Sequence, residues 1–320
     1  MQRLLLLVAL LSLVLPLHAQ PYPAKPIRLI APFPPGGTAD FLGRLVAEGL
    51  TPRVGQQVVV ENRPGAGGNL GADLVAKAAP DGYTLGLVAA GNLVINPFLY
   101  RSMPFDPLSD LVPVFNIGDA PQLLVVTGAL PAQNLREFVA YAKAQSAPLA
   151  YASAGVGTTT HLAMDHFARL AGIELQHISY KGVGQALSDL LAGRVQALSV
   201  GLGPVRAHLK SGALRALASA APKRLAALPE IPTSAEAGLP GYEMTTWFGV
   251  VAPRGTGPAL VNFLNRQLQS AFDEPKAQQR LLESGIEPAG GDEQSFGALI
   301  RSDYRKWEAV VKASGAKLDD

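Results

Sequence analysis

The sequence predicts an α/β protein of two lobes, and two observations carry this prediction. From Lys25 onward, short apolar runs rich in β-branched residues alternate with amphipathic segments, so the hydrophobic period switches between two and about 3.6 residues. This alternation is typical of mainly parallel sheets with helices packed on them. The composition also breaks twice, near Gly118–Pro121 and across the Pro- and Gly-rich segment Pro222–Gly241. The two breaks predict a middle domain inserted into a discontinuous first domain.

Nine apolar runs are predicted strands, and amphipathic segments between them are predicted helices. The clearest helix keeps apolar residues on one face from Val183 to Leu191 and ends at Gly193. A long C-terminal helix carries a similar stripe from Phe296 to Val311. The predicted strands are Ile27–Pro32, Gln57–Glu61, Tyr83–Ala89, Gln122–Thr127, Leu149–Ser153, Glu174–Ser179, Val195–Val200, Leu214–Ser219 and Tyr242–Val251.

The order of these elements predicts where each domain begins and ends. We predict a discontinuous domain I from residues 20–120 and 248–320 and a domain II from residues 121–247, joined by two crossover strands. Such an architecture leaves a cleft between the lobes. Small molecules bind at domain interfaces and at the carboxyl ends of parallel strands, so we expect the ligand in that cleft.

Composition excludes several classes of function. The chain has 320 residues with 27 Lys and Arg against 25 Asp and Glu, and 48% of its residues are hydrophobic while only 16% are charged. This balance excludes a disordered tail and a polycation that holds nucleic acid. The chain has no cysteine, which excludes thiolate nucleophiles, zinc–thiolate sites and iron–sulfur clusters. We expect no cofactor and no nucleic-acid partner.

Residues 1–19 are predicted to be a cleavable signal peptide. Arg3 gives a short positive region, Leu4–Leu15 is apolar apart from one serine, and Ala19 is the small residue before the cleavage point. A retained membrane anchor is the weaker alternative, because the apolar stretch is shorter than the ~20 residues of a span and Pro16 follows it. Cleavage leaves 26 basic against 25 acidic residues, and we expect a soluble, exported protein.

Three loops that each follow a strand and open a helix are the candidate binding elements. They are Pro32–Asp40, Ala89–Leu93 and the glycine- and threonine-rich Ser153–His161. Glycine turns before a helix start expose backbone N–H groups and the positive end of the helix dipole, which favours an anion. One helix terminus supplies roughly 0.3–2 kcal/mol, whereas micromolar binding needs about 8 kcal/mol. Several loops must therefore converge on one ligand.

Other chemistries have weaker support in the sequence. Gly155-x-Gly157 resembles the start of a dinucleotide fingerprint, but Thr160 stands where the third glycine belongs. An ordinary strand-to-helix turn with a threonine cap is as good an interpretation of that loop as an anion site. The sequence around Ser199 resembles a nucleophile elbow. An exported serine hydrolase that uses Ser199 or Ser153 with a histidine is therefore the alternative from another class of function. No spacing of histidines predicts a metal site.

Several motifs resemble those of the Bug family, the periplasmic solute receptors of tripartite tricarboxylate transporters in Gram-negative bacteria. The resemblance runs in order through essentially the whole mature chain. It implies a type II-like periplasmic binding protein fold, two α/β domains that close on a small organic carboxylate, a periplasmic location and membrane subunits of the transporter as partners. We expect a monomer. The motifs are Pro34–Asp40 (PPGGTAD), Glu61–Gly68 (ENRPGAGG), Pro80–Leu85 (PDGYTL), Ile95–Pro97 (INP), Gly157-Thr158 with His161-Leu162, and Tyr180–Gly182 (YKG).

The resemblance also implies a set of ligand-binding residues on both sides of the cleft. The first-lobe loop approaches the ligand partly through ordered water, and the second-lobe loops face it. The implied first-lobe residues are Phe33, Pro35, Gly36, Gly37, Thr38, Gly91 and Asn92, and the second-lobe residues are Ser153, Gly157, Thr158, Thr159, His161, Tyr180, Lys181, Gly182 and Ser199.

One departure from the family pattern bears on the ligand. Many relatives carry an acidic residue after the strand that ends at Val200, and this chain has Ser199-Val200-Gly201-Leu202 there. An acid at that place would favour an amino-acid ammonium group, so its absence favours a plain or aromatic carboxylate over glutamate or aspartate. The sequence does not separate transport from service to a membrane signalling partner, and it does not name the ligand.

Overall fold

The fold consists of two mixed sheets with helices packed on them, in a computed structural model that describes residues 22–314. The predicted signal peptide, residues 1–19, lies outside the described residues. The strands are β1 (Ile27–Ala31), β2 (Val58–Asn62), β3 (Thr84–Ala89), β4 (Leu111–Pro121), β5 (Leu123–Thr127), β6 (Leu149–Ser153), β7 (Leu175–Ser179), β8 (Ala197–Val200), β9 (Leu214–Ser219), β10 (Thr245–Pro253) and β11 (Glu287–Pro288).

Helices follow most strands. A short 3₁₀ turn spans Ala66–Gly68, and a π-helical segment spans Gly91–Ile95. The α-helices are α1 (Thr38–Val54), α2 (Asn69–Ala76), α3 (Asn96–Leu99), α4 (Leu135–Lys143), α5 (Thr159–Ala171), α6 (Val183–Leu191), α7 (Leu202–Lys210), α8 (Pro258–Phe272), α9 (Pro275–Glu283) and α10 (Glu293–Ser314).

The two sheets have the same plan, and each forms the centre of one lobe. The first has the strand order β11-β4-β10-β3-β1-β2, in which β10 runs antiparallel to β3 and β4. The second has the order β7-β6-β8-β5-β9, in which β5 runs antiparallel to β8 and β9. Strands β1, β2 and β3 are parallel to each other in the first sheet, and β6, β7 and β8 are parallel to each other in the second. Equivalent loops at the carboxyl ends of β1 and β6 therefore lead into α1 and α5.

The chain passes between the lobes at a compact hinge. It leaves the first sheet after Pro121 and enters the second at Leu123, and it returns before β10. Three segments are hydrogen-bonded to each other here: the Gln122 amide donates to Met244 O at 2.9 Å, the Met244 amide to Ala220 O at 2.9 Å, and the Ala220 amide to Gln122 O at 2.8 Å. The two crossover segments, at Gln122 and at Met244, are thus hydrogen-bonded side by side, and they are called the hinge below. The predicted domain boundaries stay a prediction.

The nine predicted strands are confirmed to within three residues at each end, and two strands were missed. The missed strand β4 holds Pro113, Gly118 and Pro121, residues that ordinarily end a strand or restrict it to an edge. In the structure β4 pairs along its length with β10, and the register shifts between Val250 and Val251, which leaves Val114, the residue after Pro113, unpaired in the ladder. A bulge thus accommodates the residue that concealed the strand in the sequence. The other missed strand, β11, has only two residues.

The hydrophobic pattern explains the packing of the helices. In the first lobe, Leu42, Leu50 and Leu264 on α1 and α8 are fully buried against Leu29 and Leu87 of the sheet.

Across residues 22–314, no helix combines the length and the apolar composition that a membrane span requires. Within the same range, no group of three or more histidine, aspartate or glutamate side chains is arranged to hold a metal ion.

Candidate functional site

A cavity lies between the lobes at the carboxyl ends of the parallel strands. Both lobes and the hinge contribute to its wall. The first lobe contributes Phe33, Pro34, Gly37, Thr38, Ala39, Ala89, Ala120, Thr246 and Phe248, the hinge contributes Gln122, and the second lobe contributes Ala154, Thr158, Thr159, Thr160, Val183, Val200 and Gly201.

The start of α1 forms one wall of this cavity. The first-turn amides of any helix have no acceptor within the helix. Gly37 is the N-cap of α1 and has no side chain that could accept from them. The carboxylate of Asp40 is held away from the cavity, because it accepts from the Gly36 amide at 3.2 Å, from Arg44 and from Asn62. Burial opposes its ionisation, yet these hydrogen bonds outweigh burial and lower the pKa of Asp40. The wall therefore carries the positive end of a helix dipole.

The turn before α5 forms the facing wall and is held by a chain of buried hydrogen bonds. The Ala154 amide donates to Thr160 Oγ1 at 2.8 Å, and Thr158 Oγ1 donates to Gly155 O at 2.6 Å. The two threonine hydroxyls are 2.8 Å apart, so the proton between them comes from Thr160. The hydroxyls of Thr158 and Thr160 are thus committed to the turn.

Two further hydroxyls on the cavity wall remain free for a ligand. Thr38 lies in the first turn of α1 and Thr159 in the first turn of α5. Within residues 22–314 neither hydroxyl makes a hydrogen bond. Together with the first-turn amides of both helices they give a cluster of uncharged donors from opposite lobes, which suits an anion.

No charged side chain among the described residues lines the cavity. Lys181, the lysine among the predicted ligand-binding residues, is exposed and does not line the cavity, and its backbone amide donates to Gln185 Oε1. Hydrogen bonds to an ionised group contribute roughly 1.5–3 kcal/mol each. Three or four such bonds and apolar burial against Phe33 and Phe248 suffice for micromolar binding without a lysine or arginine.

A stack of aromatic rings supports the α5 turn from behind. The His161 and His177 rings stack 4.1 Å apart, and His177 stacks on Tyr151 at 4.9 Å. Nδ1 of His161 accepts from the Gly157 amide at 3.3 Å. Burial lowers the pKa of both histidines to about 4, and Arg169 adds to this at His161, as His161 does at His177. Both rings are therefore neutral at pH 7.

Contacts between the lobes surround the cavity on two sides, so the cleft is closed. On one side a Cβ built on Gly182 would lie 2.7 Å from Cδ of Pro34. On the other side Tyr100 donates to Val156 O at 3.3 Å. The Gly67 loop reaches the same place, because a Cβ there would lie 3.1 Å from Val156 O. Small residues and proline thus allow the two lobes to meet closely.

Most of the chain matches one known family of proteins. Residues 42–316 match the model of the tripartite tricarboxylate transporter family receptor, TctC. The chain belongs to this receptor family. It is similar to protein BugT of Bordetella pertussis, with 38% identity over 312 residues that cover 97% of this chain and 96% of BugT. The resemblance to the Bug family is therefore confirmed.

Solved structures of similar receptors have the same fold. Rpa4515 of R. palustris, solved with adipate, is 38% identical with a TM-score of 0.90, over 93% of this chain and 100% of that one. The periplasmic binding protein BugD is 32% identical with a TM-score of 0.89, over 92% and 99% of the two chains. The two-lobed α/β fold of the TctC receptors, the predicted type II-like periplasmic binding protein fold, is thereby confirmed.

The predicted ligand-binding residues of this TctC family member fall into three groups, and their contact with a ligand stays a prediction. Five line the cavity: Phe33, Gly37, Thr38, Thr158 and Thr159. Others lie at the cleft mouth or interlobe contacts, namely the exposed Pro35, Gly36 and Lys181, and the buried Gly91, Gly157 and Gly182. The rest make internal hydrogen bonds: Asn92 with Ala89 and Gly67, Ser153 with His177, His161 with Gly157, Tyr180 with Asp189, and Ser199 with Tyr242.

Sequence reasoning missed the hinge side of this receptor's cavity. Gln122 and Thr246 lie on or beside strands, where alternation alone does not tell a cavity from a packed core. The side chains of β10 alternate, so Phe248 faces the cavity while Trp247 faces away and donates to Asp303 at 2.8 Å. The sequence did contain one signal for these residues: Gln122 and Thr246 are polar, and each lies near a strand end that follows a break in composition.

Proposed function

We propose that this chain is a periplasmic receptor that binds a small organic carboxylate in the interlobe cleft and delivers it to the membrane subunits of a tripartite tricarboxylate transporter. In this proposal it is a monomer, exported by a cleavable signal peptide, and it acts by conformational change and not as an enzyme. Ligand that contacts both lobes stabilises the closed state over an open one.

One observation carries the choice of a carboxylate. The first turns of α1 and α5 face each other across a cavity that no charged side chain of residues 22–314 lines, and both place a free threonine hydroxyl beside uncommitted amides. This arrangement suits an anion, whereas a cation would meet the positive ends of two helices. The adipate bound in the solved Rpa4515 structure supports the same ligand class here.

A carboxylate without an ammonium group fits this cavity best. An amino acid would bury its ammonium group among neutral side chains, since the lining residues of the described chain include no acid. An unpaired buried charge is costly. We therefore propose a plain or aromatic carboxylate in place of glutamate or aspartate.

Native mass spectrometry of the mature protein purified gently from the periplasm tests this function, followed by denaturing release of anything bound. The expected result is one small acid per chain. A thermal-shift screen of mono-, di- and aromatic carboxylates, then calorimetry, gives the affinities. Failure of every acid to bind, or tighter binding of glutamate than of glutarate, would contradict the proposed ligand class.

A further inference from the structure

Two buried oxygen atoms on the hinge side of the cavity have no hydrogen-bond partner among residues 22–314. They are Oε1 of Gln122 and Oγ1 of Thr246. The two residues are 2% and 5% exposed, and both line the interlobe cavity. A buried polar atom without a partner costs free energy comparable to a lost hydrogen bond, so such atoms at a binding site point to the missing group.

Strand pairing places these two side chains next to each other. Thr246 pairs with Ala120 across the β4–β10 ladder, and the Gln122 amide donates to Met244 O two residues further along. Paired residues of an antiparallel ladder share a face, and so do residues two apart on one strand. Gln122 and Thr246 are therefore diagonal neighbours on the face that closes the cavity.

The orientation of the Gln122 amide determines what it can bind. Its Nε2 donates to Ala120 O at 3.3 Å, so the opposite orientation would place two carbonyl oxygens against each other. Oε1 is thus the atom left without a partner, and an amide oxygen can only accept. Thr246 can donate or accept through its hydroxyl. The missing group must donate to Gln122, and it can accept from Thr246.

We propose that the ligand of this receptor carries an alcohol or phenol hydroxyl that binds between Gln122 and Thr246, and that the receptor is therefore selective for hydroxycarboxylates. The inference rests on the carboxylate-binding function proposed above. The hydroxyl donates to Gln122 Oε1 and accepts from Thr246 Oγ1, while the carboxylate lies at the first turns of α1 and α5.

Other groups fit this position less well. A second carboxylate would meet the lone pairs of Gln122 Oε1. An ammonium group would lack a counter-ion, because no acidic side chain of the described chain lines the cavity and Asp119 points to the opposite face of the sheet from Ala120. A hydroxyl is uncharged and both donates and accepts, so it satisfies both protein atoms at once.

Calorimetry with matched pairs of acids tests this inference. The pairs are malate with succinate, 2-hydroxyadipate with adipate, and 4-hydroxybenzoate with benzoate. The expected result is that in at least one pair the hydroxy acid binds about tenfold or more tightly than its partner, which corresponds to about 1.4 kcal/mol. Ratios near one in every pair that binds would overturn the inference and leave the carboxylate function standing, as when a water molecule fills this position. If no acid of the panel binds, both proposals fail.

Two near-isosteric variants assign the preference to these side chains. Gln122→Met and Thr246→Val should each bring the ratio within a pair close to one. Thr127→Val is the matched control, because Thr127 is buried to a similar degree and lies outside the cavity. A preference that persists in both variants would show that another part of the cleft recognises the hydroxyl, and it would refute the inference.

Discussion

Oγ of Ser153 lies 2.7 Å from Nε2 of His177, a distance at which histidine could activate a serine nucleophile. Three features of the structure assign this pair another role. Ser153 is fully buried outside the cavity, and its Oγ also accepts from the Gly155 amide at 3.2 Å. In residues 22–314 no carboxylate is hydrogen-bonded to His177. The hydroxyl thus connects the start of the α5 turn to the aromatic stack behind it.

Ser153→Ala should therefore lower the free energy of unfolding, and it should abolish no enzymatic activity. The substitution removes the acceptor of a buried amide and the partner of His177, which costs about 1–3 kcal/mol in the free energy of unfolding. Urea unfolding measures this loss. Ser188→Ala is the matched control, because Ser188 is exposed and its hydroxyl donates to Gly184 O within its own helix. Ester hydrolysis by the unmodified protein that disappears in Ser153→Ala would instead support the hydrolase alternative.

Thr159 and Thr158 are adjacent threonines with opposite expected roles. The Thr159 hydroxyl is uncommitted and lines the cavity, so Thr159→Val should weaken binding of the best acid from the thermal-shift screen by roughly tenfold or more, the loss of one hydrogen bond to an ionised group. Its free energy of unfolding should hardly change. Calorimetry and urea unfolding of the same preparation test both expectations.

Thr158→Val is the matched comparison for that experiment. Its hydroxyl donates to Gly155 O at 2.6 Å inside the turn, so its loss leaves a buried carbonyl unpaired and should lower the free energy of unfolding by about 1–3 kcal/mol. If Thr158→Val proved stable while Thr159→Val unfolded, the assignment of the two hydroxyls would be wrong.

The local hydrophobic pattern was enough to predict most of this fold, because each strand and each helix start can be recognised from a few consecutive residues. The turn before α5 was recognised from glycine and threonine next to an apolar stretch. The hydrogen bond between Ser153 and His177 could not be predicted, since it depends on parallel pairing of β6 with β7, which sets His177 opposite Tyr151. Gln122 and Thr246 were missed for the same reason, because their proximity comes from pairing across the hinge.

The stacked histidines predict how stability depends on pH. The pKa of His161 and of His177 is lowered to about 4 in the folded protein, below the value of about 6.5 in an unfolded chain. Between these values the unfolded chain binds more protons, so stability is complete above pH 6.5 and is lost as the pH falls toward 4. Asp165 and Arg169 are the charged groups that act on this pair.

The double variant His161→Gln and His177→Gln should show a shallower loss of stability over the same pH range. Urea unfolding at pH 7.5, 6.0 and 5.0 gives the slope, and the single variant His177→Gln serves if the double variant folds poorly. His166→Gln is the control, because His166 lies outside the stack and its Nε2 is hydrogen-bonded to Gly241 O. Equal slopes in the unmodified protein and the stack variants would contradict the assignment.

Gly182 and Pro34 meet across the mouth of the closed cleft, so a methyl group at Gly182 should act on closure. A Cβ there would lie 2.7 Å from Cδ and 2.9 Å from Cγ of Pro34, closer than real contacts allow. Pro34 belongs to the first lobe and Gly182 to the second, so separation of the lobes relieves this clash. Gly182→Ala should therefore disfavour the closed state and weaken ligand binding by about tenfold, while unfolding changes little. Gly257→Ala is the control, since no atom of residues 22–314 outside its chain neighbours lies within 4 Å of a Cβ at that site. Small-angle scattering with the bound acid should show a larger radius of gyration for Gly182→Ala than for the control. An unchanged radius with unchanged affinity would mean that this contact does not limit closure.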